Sequence, residues 1–218
     1  MNALVPLDLD VLTAQRGNGP IGGRALVFQE TSSTSDLLLQ MGEAGEPAGT
    51  VVFALRQTKG RGRHGRPWDS ARDLGLWFSF LLRPQLHSSL SEQLTALTAL
   101  AVQRMLIREY RLNALIKPPN DIYVSSKKIA GILTEVRTGK SGFAVIGIGI
   151  NVRQQREDFA PEVRDTATSV REETGRDIAL QDAAVAILES LNAVHQRFLD
   201  DSGGLLNDYE AETAKFSV

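Results

Sequence analysis

The chain has 218 residues, 42% of them hydrophobic, and a net charge of −2; this suits one sizeable globular domain and argues against a protein that coats nucleic acid. It has no cysteine, which excludes disulfides, a thiol nucleophile and cysteine-based zinc sites. Its three histidines (His64, His87, His195) lack metal-ligand spacing, and no apolar run reaches transmembrane length.

The start, Met1 to Asp8, has neither a basic n-region nor an apolar h-region, so it reads as a poor signal peptide and a cytoplasmic protein is expected. Residues 17–23 (Gly-Asn-Gly-Pro-Ile-Gly-Gly) read as a flexible joint. Arg24–Glu30 follows as a strand. Ser33 with Asp36 has capping-box spacing for a helix that continues through Leu37–Met41. Thr50–Leu55 and Leu74–Leu82 are short apolar runs expected as buried strands, the second ended by Pro84. Ser91–Tyr110 is the clearest helix, with Leu94, Leu97, Thr98, Ala101 and Met105 as its buried stripe. Ala114–Ile116 is short and apolar. Ile122–Val124 and Ile129–Val136 suggest a hairpin turned by Ser125-Ser126-Lys127. Gly142–Ile150 is another buried strand. Ser169 and Glu172 can cap a short helix, and helices are expected at Ala179–Leu199 and Leu205–Ala214. Strands crowd the first two thirds with helices around them, the pattern of a mixed α/β domain.

Three constellations could carry chemistry. From Arg56 through Arg66 the chain has five Arg or Lys side chains, three glycines and no acid. Such a loop can be a small-anion site, an unstructured surface loop or a nucleic-acid contact of the Arg-Gly type. It is neither a Walker A loop nor a dinucleotide fingerprint. Trp68, just beyond it, can stack on a purine or fill a core. Lys117-Pro118-Pro119-Asn120-Asp121 is a corner whose prolines fix the backbone; it reads as a plain turn or as a rigid polar corner facing a ligand or Mg²⁺. Lys128, opening the apolar run Ile129-Ala130-Gly131-Ile132-Leu133, can be a solvated edge charge or a point charge for a phosphate or carboxylate. Gly131, Gly147 and Gly149 in mid-strand mark close approach by a ligand or another backbone.

The order of these motifs is more specific than any one of them. Ser33-Thr34-Ser35, Gln57-x-x-Gly60-Arg-Gly-Arg-x-Gly-Arg66-x-Trp68, Lys117-x-Pro-Asn-Asp121, Lys128-Ile-Ala-Gly-Ile-Leu133 and Gly147-x-Gly-Ile-Asn151 together resemble the catalytic domain of biotin protein ligases, from about Arg24 to the C-terminus. The resemblance implies an α+β fold: a mixed, largely antiparallel sheet flanked by helices, like class II aminoacyl-tRNA synthetases and the biotin–lipoyl ligases. Residues 24–218 would be the catalytic domain and residues 1–23 an N-terminal extension. The activity implied is ATP-dependent conversion of biotin to biotinyl-5′-AMP, with Mg²⁺, then transfer to one lysine of the biotin carboxyl carrier protein of acetyl-CoA carboxylase. A lipoate or octanoate ligase or transferase shares the fold and is the alternative.

By that resemblance Ser33, Thr34 and Gln57 would bind the ureido group of biotin, and Ser35 would belong to the biotin site beside them. The loop Arg61-Gly62-Arg63 would close over biotin and the adenylate. Arg63 and Lys128 would be catalytic, facing the biotin carboxylate and the α-phosphate, and Gly131 would let the backbone approach biotin. Arg66, Trp68, Lys117 and Asn120 would serve the nucleotide, with Asn151 near its adenosine. Asp121 would be the Mg²⁺ ligand. Two positions depart from the family pattern: Pro118 stands where Trp is common, and Ser35 where Asn is usual. The chain stops near the point where a small SH3-like domain follows in many members, and residues 1–23 are too few for a helix-turn-helix domain. No repressor role is therefore expected; the net charge argues against a nucleic-acid partner and the lack of a long apolar run against membrane association, and monomer or homodimer stays open.

Overall fold

The computed structural model describes residues 7–85, 87–139 and 141–216. Residues 1–6, most of the poor signal peptide, lie outside them. Seven strands form one sheet: β1 (Arg24–Phe28), β2 (Thr50–Ala54), β3 (Gly75–Leu82), β4 (Leu115–Lys117), β5 (Asp121–Val124), β6 (Lys127–Arg137) and β7 (Phe143–Asn151). Their order is β1-β2-β3-β7-β6-β5-β4. Only β1 and β2 run parallel; every other pairing is antiparallel. The helices are α1 (Leu9–Gln15), α2 (Thr34–Glu43), α3 (Leu90–Tyr110), α4 (Val170–Thr174), α5 (Leu180–Asp200) and α6 (Ser202–Thr213). The α+β expectation holds.

The sheet has two unequal faces, set by the two-residue period of its strands. On one, Leu76, Phe78, Phe80 and Leu82 of β3 and Ala144, Ile146, Ile148 and Ile150 of β7 join a large core with α3 and α5. All five residues of the expected α3 stripe are buried, and Ala99, Leu100 and Val102 with them, because α3 packs against both the sheet and α5. On the other face a smaller cluster of Leu38, Leu39, Val52, Leu81, Phe143 and Val145 lies under α2. That cluster ends part-way along the strands. Beyond it the same face carries Ser79 and the glycines Gly147, Gly149 and Gly131, whose small size leaves room above the strands.

Local signals account for the joints. Ser33 caps α2, its Oγ accepting from the Asp36 N–H at 3.3 Å. Ser169 caps α4 in the same way, from the Glu172 N–H at 3.1 Å. The β5–β6 hairpin turns on Ser125 and Ser126, both at positive φ (50° and 64°), as a two-residue turn of the primed type requires. The segment 17–23, expected to be a flexible joint, is instead fastened to the domain. Asn192 of α5 accepts from the Ile21 N–H (2.9 Å) and donates to the carbonyls of Ile21 (2.8 Å) and Arg16 (2.9 Å). Leu12 of α1 and Ile21 are both in the large core. No helix among the described residues is long and apolar enough to cross a membrane.

Candidate active site

The open part of the sheet is the floor of a cavity of about 960 Å³. Ser33, Thr34, Ser35, Gln57, Arg61, Gly62, Arg63, Arg66, Trp68, Asn120, Asp121, Lys128, Gly131 and Asn151 all line it. A volume of this order suits a small metabolite together with a nucleotide. A second hollow of about 640 Å³ sits at the far end of α2 against Arg83. Its guanidinium is spent on the carbonyls of Gly42, Glu46 and Ser141, so it is a clamp on the helix end.

One end of the cavity is hydroxyl-rich. The first turn of α2 points Thr34 and Ser35 at the sheet, where both hydroxyls meet Ser79 Oγ (2.8 and 3.0 Å). Gln57 Oε1 accepts from the Thr34 N–H at 2.8 Å, and its Nε2 donates to Ser70 Oγ at 2.8 Å. The helix N-terminus adds a partial positive charge, favourable to a carbonyl oxygen. Ser79 and Ser70 were not singled out from sequence. A lone hydroxyl inside the apolar run Gly75–Leu82 was the available signal for Ser79.

The other end is cationic. Lys128 Nζ lies 2.7 Å from Asp121 Oδ1 and 5.0 Å from the centroid of the Trp68 ring. Trp68 lies over the glycines: a Cβ on Gly149 would collide with its indole, and one on Gly131 would come within 2.9 Å. Its ring stands edge-on to Trp77, centroids 6.4 Å apart. Arg63 donates to Asn120 Oδ1 at 3.2 Å, and Asn120 is fixed by its own bond to the Ile132 carbonyl (2.8 Å). The basic loop is a small hairpin, closed by Trp68 N–H to the Gly60 carbonyl (2.9 Å) and Gly62 N–H to the Arg66 carbonyl (2.8 Å). At its tip His64 (φ 57°) and Gly65 (φ 70°) are left-handed, the conformation glycine supplies without strain.

Three expected residues sit differently from their assigned tasks. Arg61 borders the cavity, but its guanidinium bridges Asp36 of α2 and Glu135 of β6, the latter at 3.0 Å. Burial alone would lower its pKa; the bond to Asp36 and the charges of Glu135 and Asp36 outweigh this and raise it. Lys117 does not line the cavity. It lies on the edge strand β4, one strand beyond Asp121, with its ammonium over the rings of Tyr123 (4.8 Å) and Phe216 (5.6 Å). Asp121 is ion-paired with Lys128, and no cluster of three or more metal-ligating side chains occurs among the described residues. A single carboxylate already neutralised by a lysine does not fit a resident Mg²⁺, which takes its remaining ligands from phosphates and water.

The model of the biotin/lipoate A/B protein ligase family matches residues 27–151, more than half of the chain. The chain belongs to this family. The bifunctional ligase/repressor BirA of Bacillus spizizenii is 39% identical over 82% of the chain and 55% of its own length. The biotin–[acetyl-CoA-carboxylase] ligase of Mycobacterium tuberculosis is 33% identical over 72% of the chain and 60% of its own. The chain thus spans little more than half the length of these curated relatives. Among solved structures, the biotin protein ligase from Aquifex aeolicus in complex with biotin and ATP is 34% identical, with a TM-score of 0.71 over 81% of this chain and 72% of that one.

Proposed function

We propose that the protein activates biotin with ATP to biotinyl-5′-AMP and transfers the biotinyl group to a lysine of a biotin carboxyl carrier protein, in the cytoplasm. The observation that carries this reading is the polarity of the cavity: neutral hydroxyls and Gln57 at one end, Lys128 and Arg63 at the other, over a floor of glycines. Biotin has the same polarity, with a ureido ring, an apolar body and a carboxylate. A straight lipoyl or octanoyl chain has no use for the hydroxyl end. The Aquifex relative binds biotin and ATP, as its complex is described.

In the first step a biotin carboxylate oxygen attacks the α-phosphorus, an anhydride bond forms and pyrophosphate leaves. Two anions must approach, and the cost falls where fixed cations face them. Lys128 and Arg63 supply that field, and Asp121 and Asn120 hold them in position. In the second step the carrier lysine attacks the acyl carbon and AMP leaves, its proton passing to solvent. No protein nucleophile is required, in keeping with a chain that lacks cysteine. Mg²⁺ accompanies the ATP phosphates as part of the substrate. The test is ATP–pyrophosphate exchange with biotin, lipoate or octanoate as the acid. Biotin is expected to drive exchange at least about a hundredfold better, since a site built around polar partners rejects a ligand that leaves them unpaired. Exchange driven by lipoate instead would overturn the choice.

A further inference from the structure

The pairing of β6 with β7 begins at Ala130 opposite Ile150, so Lys128 runs beyond the end of β7. A loop takes over there. The Lys128 N–H donates to the Thr166 carbonyl (2.8 Å), and the Thr168 N–H donates to the Lys128 carbonyl (2.9 Å). Lys128 and Ala167 thus form an isolated parallel bridge. Residues 166–168 belong to no strand, so the sheet alone does not fix them. Thr168 is only 2% exposed. Its carbonyl accepts from Asn151 Nδ2 at 2.9 Å, and its hydroxyl donates to Glu173 Oε1 of α4 at 2.7 Å. The other carboxylate oxygen, Glu173 Oε2, accepts from Ser125 Oγ at 2.9 Å. Ser125 opens the turn between β5 and β6, just ahead of Lys128.

Glu173 therefore joins the two backbone segments that flank Lys128. Asp121 holds the ammonium, and Glu173 holds the main chain that carries it. Both of its bonds have a charged acceptor, which makes them stronger than bonds between neutral groups. Catalysis by a fixed charge depends on placement, and a shift of about 1 Å can cost about a hundredfold in rate. Glu173 itself does not line the cavity. We infer that Glu173 is a positioning residue for Lys128, acting through Thr168 and Ser125. The inference rests on the task given to Lys128 above and extends it to what backs that residue.

The test is the kinetics of ATP–pyrophosphate exchange. Glu173→Ala is expected to lower kcat about tenfold and to leave KM for biotin and ATP within about twofold, the pattern of lost transition-state stabilisation. Glu173→Gln can still bridge, since its amide oxygen accepts from one hydroxyl and its amide nitrogen donates to the other; it should stay within about threefold of wild type. Ser125→Ala cuts one arm at an exposed position, where folding is not at stake, and should cost about threefold, the scale of one hydrogen bond. In a Lys128→Ala background Glu173→Ala should cost no more than about a further twofold, because two residues on one path are not additive. Reduced thermal stability with unchanged kcat in Glu173→Ala and Ser125→Ala would mark a purely structural role and overturn the inference. So would a Gln variant as slow as Ala, or an undiminished tenfold loss without Lys128. Wild-type exchange driven by lipoate would sink the biotin reading alone, and the same comparison would then be read with lipoate. Exchange that ignores Glu173 would sink this inference alone; no exchange with any acid would overturn both.

Discussion

Lys128 is held from several directions before any ligand arrives. Its ammonium meets Asp121 and the face of Trp68, and its backbone is paired with Thr166 and Thr168 (2.8 and 2.9 Å). Such a cation needs little reorganisation when negative charge develops beside it. Lys128→Ala is expected to lower ATP–pyrophosphate exchange by about a hundredfold or more, the scale for losing one electrostatic contact to a transition state. It also leaves a half-buried carboxylate without its partner. Lys128→Ala combined with Asp121→Asn removes that complication: it should restore stability and not exchange. Near-normal exchange in the single variant would refute the role. Lys128 was legible as a lysine opening an apolar strand. Its partner was not, because a register shift between Ile122 and Tyr123 sets Asp121 opposite Gly131 and Tyr123 opposite Lys128. A pairing across a bulge depends on a shift that local sequence does not announce.

At the scale of the element, β7 shows how one strand serves both core and site. Its run Phe-Ala-Val-Ile-Gly-Ile-Gly-Ile-Asn is buried throughout, so alternation of polarity is lost and only the glycines reveal which face is open. Ala144, Ile146, Ile148 and Ile150 go to the large core, and Gly147 and Gly149 to the cavity floor. The glycines pointed to close approach; that the approaching group would include a tryptophan of the same chain depends on the fold of the basic hairpin. Gly149→Ala adds a methyl where Trp68 lies. Either the indole is expelled or the strand shifts, and overpacking of this kind costs about 1–3 kcal/mol. The expected outcome is a changed Trp68 emission spectrum together with at least a tenfold loss of pyrophosphate exchange, since one tenfold step corresponds to about 1.4 kcal/mol. Wild-type fluorescence and exchange in Gly149→Ala would show that the ring does not rest there in solution.

At the scale of the whole molecule, the strand order brings together α2, the hairpin after β2, the β5–β6 hairpin and the end of β7, although residues 33 and 151 are far apart in the chain. The motif order hinted at this assembly; the long-range contacts that stabilise it were not legible. Residues 17–23 show why. Their composition reads as flexible, and locally nothing contradicts it. The structure resolves the matter with Asn192, 171 residues away from Ile21 and only 1% exposed, whose side chain satisfies three backbone groups of the N-terminal segment. A Cβ on Gly19 would also strike this side chain. Asn192→Ala deletes those three bonds and leaves the two buried backbone groups of Ile21 unpaired, at a cost of about 2–4 kcal/mol, roughly 1–2 kcal/mol for each. Urea denaturation should show the midpoint falling with an unchanged slope, as for a stability loss within a two-state transition. Because α5 lies on the face of the sheet away from the cavity, biotin and nucleotide affinities should stay within about twofold, the additivity expected for distant sites. A stability change under about 0.5 kcal/mol, the range of an ordinary surface substitution, would mean that the segment is not fastened by Asn192. A stability loss accompanied by weaker biotin binding would mean that the N-terminal clamp and the cavity are coupled through the sheet.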